Sequence, residues 1–450
     1  MAASPQRKPM PMTCVSQESD PRDYAIQAKR SPTTFHISSH VSVAVLTSHA
    51  VHRLRDKEMD TRRSSLLVLI GFLSLSLSCG GGNPGGGVVS KPPSTTEILY
   101  ASDFGNSVFS FNLDASTGAL TEVATATIPS NGVQTSSIAL TPSGNFLFAT
   151  TGTSGISAYS STSSGTMSLI SGSPFPNSTT QGISSLTVDP NGSFLYASDS
   201  SDFGVGGFTI GTTGALTSIP GGPFSPPGDA LGPPTEIAID PAGKFLYAST
   251  VFDVSDTGGL NVWGFTIDSQ TGALTSMPGS PFATQENGQP HGIKVDPSGK
   301  FVYVALSNAN SIAAFTIDST TGALTVAPGS PFATGPGEFT ETYELTIAPS
   351  GKFLYAFNFN GNTVAVFTID STSGVLTTVA GSPFAVNPEA EGDLVVDPSG
   401  KFLYLTIASG LHSAFDIFNI DPNTGALTPN LNSPIAGNEA PISIAVAQFH

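Results

Sequence analysis

The chain predicts an all-β fold, a seven-bladed β-propeller with four antiparallel strands per blade, and three observations carry that expectation. An apolar-aromatic triplet recurs seven times, at Ile98-Leu99-Tyr100, Phe146-Leu147-Phe148, Phe194-Leu195-Tyr196, Phe245-Leu246-Tyr247, Phe301-Val302-Tyr303, Phe353-Leu354-Tyr355 and Phe402-Leu403-Tyr404. The third residues lie 48, 48, 51, 56, 52 and 49 apart, and a period near fifty marks a unit that cannot bury its apolar faces alone. Each period holds four short apolar segments separated by turn residues, the pattern of a four-stranded blade. The repeat also opens on a second strand, Glu97-Ile98-Leu99-Tyr100, while the chain finishes on an odd first strand, Ile442–Ala447. The C-terminal strand is therefore expected to complete the first blade and remove its open edge.

The clearest blade begins at Gly292-Ile293-Lys294-Val295, its first strand. Asp296-Pro297-Ser298-Gly299 follows as a turn, because Asp accepts backbone N–H groups, Pro presets φ and Gly takes a conformation that a Cβ resists. The triplet Phe301-Val302-Tyr303 is the second strand and Ser311–Ile317 the third. Asp318-Ser319-Thr320-Thr321-Gly322 then turns the chain into a short fourth strand, Ala323–Val326. A Gly-Ser-Pro-Phe segment closes the blade at Gly172, Gly279, Gly329 and Gly381, loosened to Gly-Gly-Pro-Phe at Gly221. Proline donates no hydrogen bond, so this segment is expected where the outer strand ends and the chain crosses onward.

First strands place large residues at Ile138, Leu186, Ile237, Ile293, Leu345, Leu394 and Ile444. The next positions are Ala139, Thr187, Ala238, Lys294, Thr346, Val395 and Ala445, and small residues suit the crowded axis where blades converge. Lys294 is the residue that departs from this rule.

Ahead of the propeller, residues 59–79 run from a basic start at Arg62-Arg63 through an apolar core, Leu66 to Ser78, to Cys79. The core is too short to span a bilayer and has the form of an export signal. The order resembles a bacterial lipoprotein signal, which implies Cys79 as the lipid-attachment residue; Ser76 stands where that family expects an aliphatic side chain. The other reading is an ordinary signal peptide and a soluble secreted product. Residues 1–58 show no periodicity, and Met59 is the expected true start, so His36, His40, His49 and His52 are not taken as a metal cluster. Residues 79–96 read as a Gly/Pro/Ser-rich tether and 97–450 as the propeller. Gly80, Gly82 and Gly85 match a dinucleotide fingerprint only formally, since no strand precedes them and no helix follows.

All seven arginines lie at or before Arg63. From Cys79 onward six lysines face 27 acidic residues, a net charge of −21. Such a surface repels phosphate backbones, so no nucleic-acid partner is expected, and membrane attachment is expected through a lipid alone. The chain shows no Gly-x-Ser-x-Gly elbow, His-Glu-x-x-His, paired cysteines or Walker loop, and no cofactor or metal is expected from its motifs. An exported monomer that binds an unknown small molecule or a cell-envelope partner without catalysis is the expected form.

The Asp-Pro-Ser-Gly-Lys-Phe-Leu-Tyr blade, the Phe-Thr-Ile-Asp-x-x-Thr-Gly-Ala-Leu-Thr strand pair and the seven-fold count resemble the lactonase-type propellers, the phosphogluconolactonase-like family. The likeness covers residues 97–450. It implies a site at the channel mouth to which a Pro-His before a first strand contributes, and Gln289-Pro290-His291-Gly292 matches that feature. Two departures stand beside it. The family's enzymes use arginine to hold anionic substrates, whereas this propeller has none, and Ala305-Leu306-Ser307 replaces the Asp-Leu-Gly that follows the tyrosine. A phosphorylated sugar lactone is not the expected substrate.

Aligning the seven first strands brings Ser137, Ser185, Glu236, Gly292, Glu344, Asp393 and Ser443 to one equivalent position, with His291 and Tyr343 one step earlier. Three carboxylates, a histidine and Lys294 thus converge on four consecutive blades, with Glu286 on the preceding loop as a further candidate ligand. One reading is a pocket for a cationic or polyhydroxylated ligand, bound without catalysis. A second is a lactone hydrolase in which His291 is a general base near neutral pH and Glu236 or Glu344 assists. A third is a polar rim in which Lys294 neutralises nearby carboxylates.

Overall fold

A computed structural model of the chain describes residues 95–449 apart from 104–106, 128–134, 152–154, 177–181, 200–202, 227–231, 251–260, 285–287, 337–340, 389, 391, 408–414 and 436–439. The described residues form seven antiparallel sheets, one per blade. Blade 1 is built from both ends of the propeller: outermost Leu120–Thr127, then Ser107–Leu113, Thr96–Asp103 and innermost Pro441–Phe449. The joining ladder runs from Thr96 opposite Phe449 to Asp103 opposite Pro441. The C-terminal strand completes the first blade, as the odd first strand requires.

Blade 5 shows why these residues form these elements. Its strands are Pro290–Val295, Phe301–Leu306, Ser311–Ile317 and Leu324–Val326, paired in that order. Asp296 organises the first turn: its Oδ1 accepts the N–H groups of Lys300 and Phe301, each at 2.7 Å, and its Oδ2 that of Ser298 at 2.9 Å. Asp189, Asp240 and Asp397 repeat the arrangement. At the other turn Asp318 accepts the N–H groups of Thr320 and Thr321, as Asp114, Asp268, Asp370 and Asp421 do at theirs. Much of the acidity of the chain is therefore committed to turn backbone.

The Gly-Ser-Pro-Phe segment does more than end a blade. The fourth strand is only three residues long, which leaves the rest of the third strand with an unpaired edge. The segment covers it. Phe332–Ala333 pairs with Ser311 and Ile312, and Phe282–Ala283 and Phe384–Ala385 pair likewise in blades 4 and 6. Phe175, Phe224 and Ile435 make single bridges at the matching place in blades 2, 3 and 7. The serine hydroxyl takes one more third-strand donor, Ser330 Oγ accepting the Ala314 N–H at 2.9 Å.

Blades are latched to one another by the triplet itself. The Tyr303 hydroxyl donates to the carbonyl of Gly374, in the outer hairpin of the next blade, at 3.0 Å. Tyr196 reaches Gly272, Tyr247 reaches Gly322, Tyr355 reaches Gly425, and Tyr404 of blade 7 reaches Gly118 of blade 1. These tyrosines are fully buried, so each bond satisfies a hydroxyl that would otherwise cost about 1–3 kcal/mol of lost solvation. The triplet's first residue packs on the same glycine. A Cβ on Gly322 would stand 2.6 Å from Phe245 Cδ1 and 2.5 Å from Met277 Cε, at φ +76°.

That double requirement separates two kinds of turn glycine. Gly400 has a similar φ, +72°, but nothing within 4 Å of its missing Cβ. Gly400→Ala should cost only the left-handed backbone term, about 1 kcal/mol, whereas Gly322→Ala adds overpacking of about 1–3 kcal/mol. Urea denaturation of the two variants checks this; equal losses would mean that the inter-blade packing yields without strain.

Candidate functional site

The channel mouth is built by irregularities in the first strands. In blade 5 the ladder runs from Pro290 opposite Leu306 to Ile293 opposite Val304, so His291 and Gly292 together oppose the single residue Ala305. Blades 3 and 4 carry the same bulge at Ser184-Ser185 and Thr235-Glu236, and blade 6 carries one at Tyr343. A bulge twists the strand and re-aims its side chains. In blades 3, 4 and 6 two consecutive residues consequently line the channel, where strict alternation would present one.

The result is a double ring around a cavity of about 290 Å³, near the small end of ligand cavities. The inner ring is the set expected from sequence: Ser137, Ser185, Glu236, Glu344, Asp393 and Ser443 all line the cavity, as do His291 and Tyr343. The sequence reading missed Ser136, Ser184 and Thr235, which line it from the position one step earlier. Their signal was present in the second strands, where Thr150, Ser198 and Ser249 supply hydroxyls that bind the bulged backbone. Ser198 Oγ accepts the Ser185 N–H and Thr150 Oγ1 the Ser136 N–H, each at 2.8 Å. Lys294 is not among the lining residues; it lies two positions further along its strand. Glu286 and Cys79 fall outside the described residues. A larger depression, about 810 Å³, lies among turn residues of blades 7 and 1, and its lining offers Lys401 but no carboxylate or histidine.

The inner ring has a structural task. Ser137 Oγ accepts the N–H of Leu186 in the next blade at 3.1 Å, Asp393 Oδ2 that of Ile444 at 3.1 Å, and Ser443 Oγ that of Ile138 at 3.3 Å. Glu236 Oε2 accepts the Ile293 N–H in the same way. Glu344 breaks the pattern for two reasons. Gly292 before it has no side chain, so the Leu345 N–H bonds Glu344 itself. The Leu394 N–H beyond it goes to Asp393 Oδ1 of its own blade at 2.8 Å. Glu344 Oε2 is left buried with no hydrogen-bond partner.

Electrostatics follow from three carboxylates around one ammonium. Lys294 Nζ donates to Glu236 Oε1 and stands 3.7 Å from Glu344 Oε2. Burial alone would lower the lysine pKa, but Glu236, Glu344 and Asp393 outweigh it and hold the ammonium protonated. Burial, reinforced by Glu236, raises Glu344 well above the usual carboxylate range. Burial likewise brings Asp393 up to about 6, against the pull of Lys294 and the Ile444 N–H. The expectation that His291 titrates near neutrality is not met. Its ring stacks on Tyr343 at 4.1 Å between centroids, and burial pushes the imidazole down to about 4, so it is neutral at pH 7. Among the described residues no group of three or more His, Cys, Asp or Glu is placed to hold a metal ion.

Removing the ammonium tests this account. In Lys294→Met the folded-state pKa values of Glu344 and Asp393 should rise further above their unfolded values. Stability of that kind is complete below the unfolded carboxylate pKa and is lost as pH rises through the folded one. The Tm deficit of the variant relative to the parent should therefore be small near about pH 4 and widen toward about pH 8. A deficit independent of pH would show that Lys294 acts through packing instead.

Comparison with known proteins agrees with the architecture. The family model described as lactonase, 7-bladed beta-propeller matches residues 93–227, 224–337 and 328–444. A 6-phosphogluconolactonase of Yersinia pestis is 24% identical over 306 residues, 58% of this chain and 87% of that protein. One from Pectobacterium carotovorum is 24% identical over 258 residues, 55% of this chain and 70% of the relative. Among solved structures, a periplasmic gluconolactonase of Pseudomonas aeruginosa superposes with a TM-score of 0.63 at 16% identity, over 79% of this chain and 99% of that one. With its seven blades and these matches along the propeller, the chain belongs to the lactonase, seven-bladed β-propeller family.

Proposed function

We propose that the chain hydrolyses a non-phosphorylated lactone at the channel mouth, with Glu344 as general base. The observation that carries this is Glu344 on the cavity wall: its Oε2 has no hydrogen-bond partner, only the Lys294 ammonium 3.7 Å away, whereas Glu236 and Asp393 accept N–H groups from the next blade. Membership of a lactonase family supports the reaction class. A raised pKa strengthens a carboxylate as a base provided it is ionised at the working pH. The Glu344 carboxylate takes a proton from water as the water oxygen bonds to the lactone carbonyl carbon. Collapse of the tetrahedral adduct breaks the ring C–O bond, and the proton passes to the departing ring oxygen, giving a hydroxy acid.

The remaining residues position. Glu236 is held by the Ile293 N–H and Lys294, which makes it a support for the base rather than a second one. Hydroxyls of Ser136, Ser137, Ser184, Ser185 and Thr235 can hold the hydroxyls of a sugar-like ring, and the Tyr343–His291 stack offers it a flat wall. A phosphate would meet three carboxylates and one ammonium already paired, which opposes an anionic substrate.

Assays of uncharged sugar lactones decide the matter. Glu344→Gln should lower kcat about 100-fold or more, the usual contribution of a general base, with KM changed far less. The parent rate should fall as pH drops through the raised Glu344 pKa, because the base is then protonated. Binding without turnover across the panel would leave the ligand-binding module as the surviving reading.

Export belongs to the same proposal. The Arg62-Arg63 start, the apolar run to Ser78 and Cys79 support a lipid-anchored envelope protein whose chain starts at Met59. Mass spectrometry of the native protein should find an N-terminal lipid-modified Cys79 peptide; peptides from residues 1–58 or a free Cys79 would overturn it.

A further inference from the structure

The two halves of the cavity differ in chemistry. Blades 2, 3 and 4 present Ser136, Ser137, Ser184, Ser185 and Thr235, all neutral donors and acceptors. Blades 4, 6 and 7 present Glu236, Glu344 and Asp393, answered among the described residues by Lys294 alone. Lys294 is placed against Glu236, the carboxylate that also binds the Ile293 N–H. The remaining carboxylates are Asp393 and Glu344, and Glu344 Oε2 is buried without a hydrogen-bond partner, 3.7 Å from the shared Lys294 ammonium. Among the described residues the other titratable groups lining this region do not answer it: His291 is neutral and Tyr343 holds its phenolic proton. A buried, under-compensated carboxylate is costly unless a cation joins it. Among the described residues three carboxylates thus share one ammonium, opposite a wall of hydroxyls.

We propose that the ligand of this cavity is a polyhydroxylated molecule carrying a primary amine, an amino-sugar-type lactone, with its ammonium beside Glu344 and Asp393 and its hydroxyls on the serine side. The inference rests on reading the cavity as the ligand site and deepens it by naming the charge of the substrate. It accounts for two cavity carboxylates, Glu344 and Asp393, whose cation among the described residues is the Lys294 ammonium they share with Glu236. A neutral lactone would fill the serine side and leave the acidic side unanswered.

Calorimetry on the whole propeller with glucosamine, glucose and N-acetylglucosamine isolates the amine, because the three share a ring and differ in one substituent. At pH 7 glucosamine should bind at least about ten-fold tighter than the other two, about 1.4 kcal/mol. The preference should shrink at pH 5, where Asp393 keeps its proton, and shrink in Glu344→Gln at pH 7. Turnover is read separately, with glucono-lactone and its 2-amino-2-deoxy analogue. If all three sugars bind equally, or none binds, the amine inference is overturned, whatever the lactone assays show. Turnover of glucono-lactone with no amine preference keeps the hydrolase and removes the inference. Amine preference without turnover of either lactone does the reverse.

Discussion

A buried backbone N–H must have an acceptor, and in this propeller that requirement shapes the channel. Each first strand brings the N–H of a large residue, such as Leu186, Ile293 or Ile444, up against the preceding blade. An acceptor from that blade meets it: Ser137, Glu236 and Asp393 in these three cases. Serine, glutamate and aspartate at the inner ring are thus first of all a means of joining blade to blade around the axis. The tyrosine hydroxyls do the same work nearer the outer hairpins, and Tyr404 to Gly118 carries it across the junction between blades 7 and 1.

Function then depends on what the structural task leaves free. Gly292 provides no acceptor, which turns the Leu345 N–H back onto Glu344, and Asp393 serves the Leu394 N–H within its own blade. Neither neighbouring blade brings a backbone N–H to Glu344 Oε2, which keeps only the Lys294 ammonium 3.7 Å away. A carboxylate of the type used elsewhere for assembly is in this way left on the cavity wall, and burial with its acidic neighbours raises its pKa. Blades 5 and 6 also lack the second-strand hydroxyl that binds the first-strand backbone in blades 2, 3, 4 and 7, having Ala305 and Phe357 in that place. These same two blades carry His291 and Tyr343, whose rings stack on each other. The sector that has given up part of the repeat's internal bracing is the sector with the distinctive chemistry.

The charge of the chain reads differently once the turns are seen. A strongly acidic surface suggests solubility or repulsion of nucleic acid, yet nine aspartates, including Asp189, Asp296, Asp318 and Asp421, accept turn N–H groups. The exposed ones, Asp268 and Asp318 among them, have their pKa lowered by those bonds and so remain charged as a by-product of turn formation. The inner-ring carboxylates are shifted the other way by burial. Composition alone cannot distinguish the two populations.

The fold and the inner ring were legible in the chain because both depend on local period. A repeat near fifty residues, turn residues at fixed offsets and an odd C-terminal strand specify seven blades and their closure, and aligning the repeats brings Ser137, Glu236, Glu344, Asp393 and Ser443 to one level. The outer ring was not legible, because period-two alternation would point Ser136, Ser184 and Thr235 away from the channel. Only the bulges, which are properties of strand pairing, turn Ser184 and Thr235 in. The state of His291 was hidden for a similar reason: its stacking partner Tyr343 lies 52 residues away, and burial rather than residue type sets its pKa. Which carboxylate is free is also a tertiary matter, since an acceptor is occupied or open according to donors arriving from the neighbouring blade.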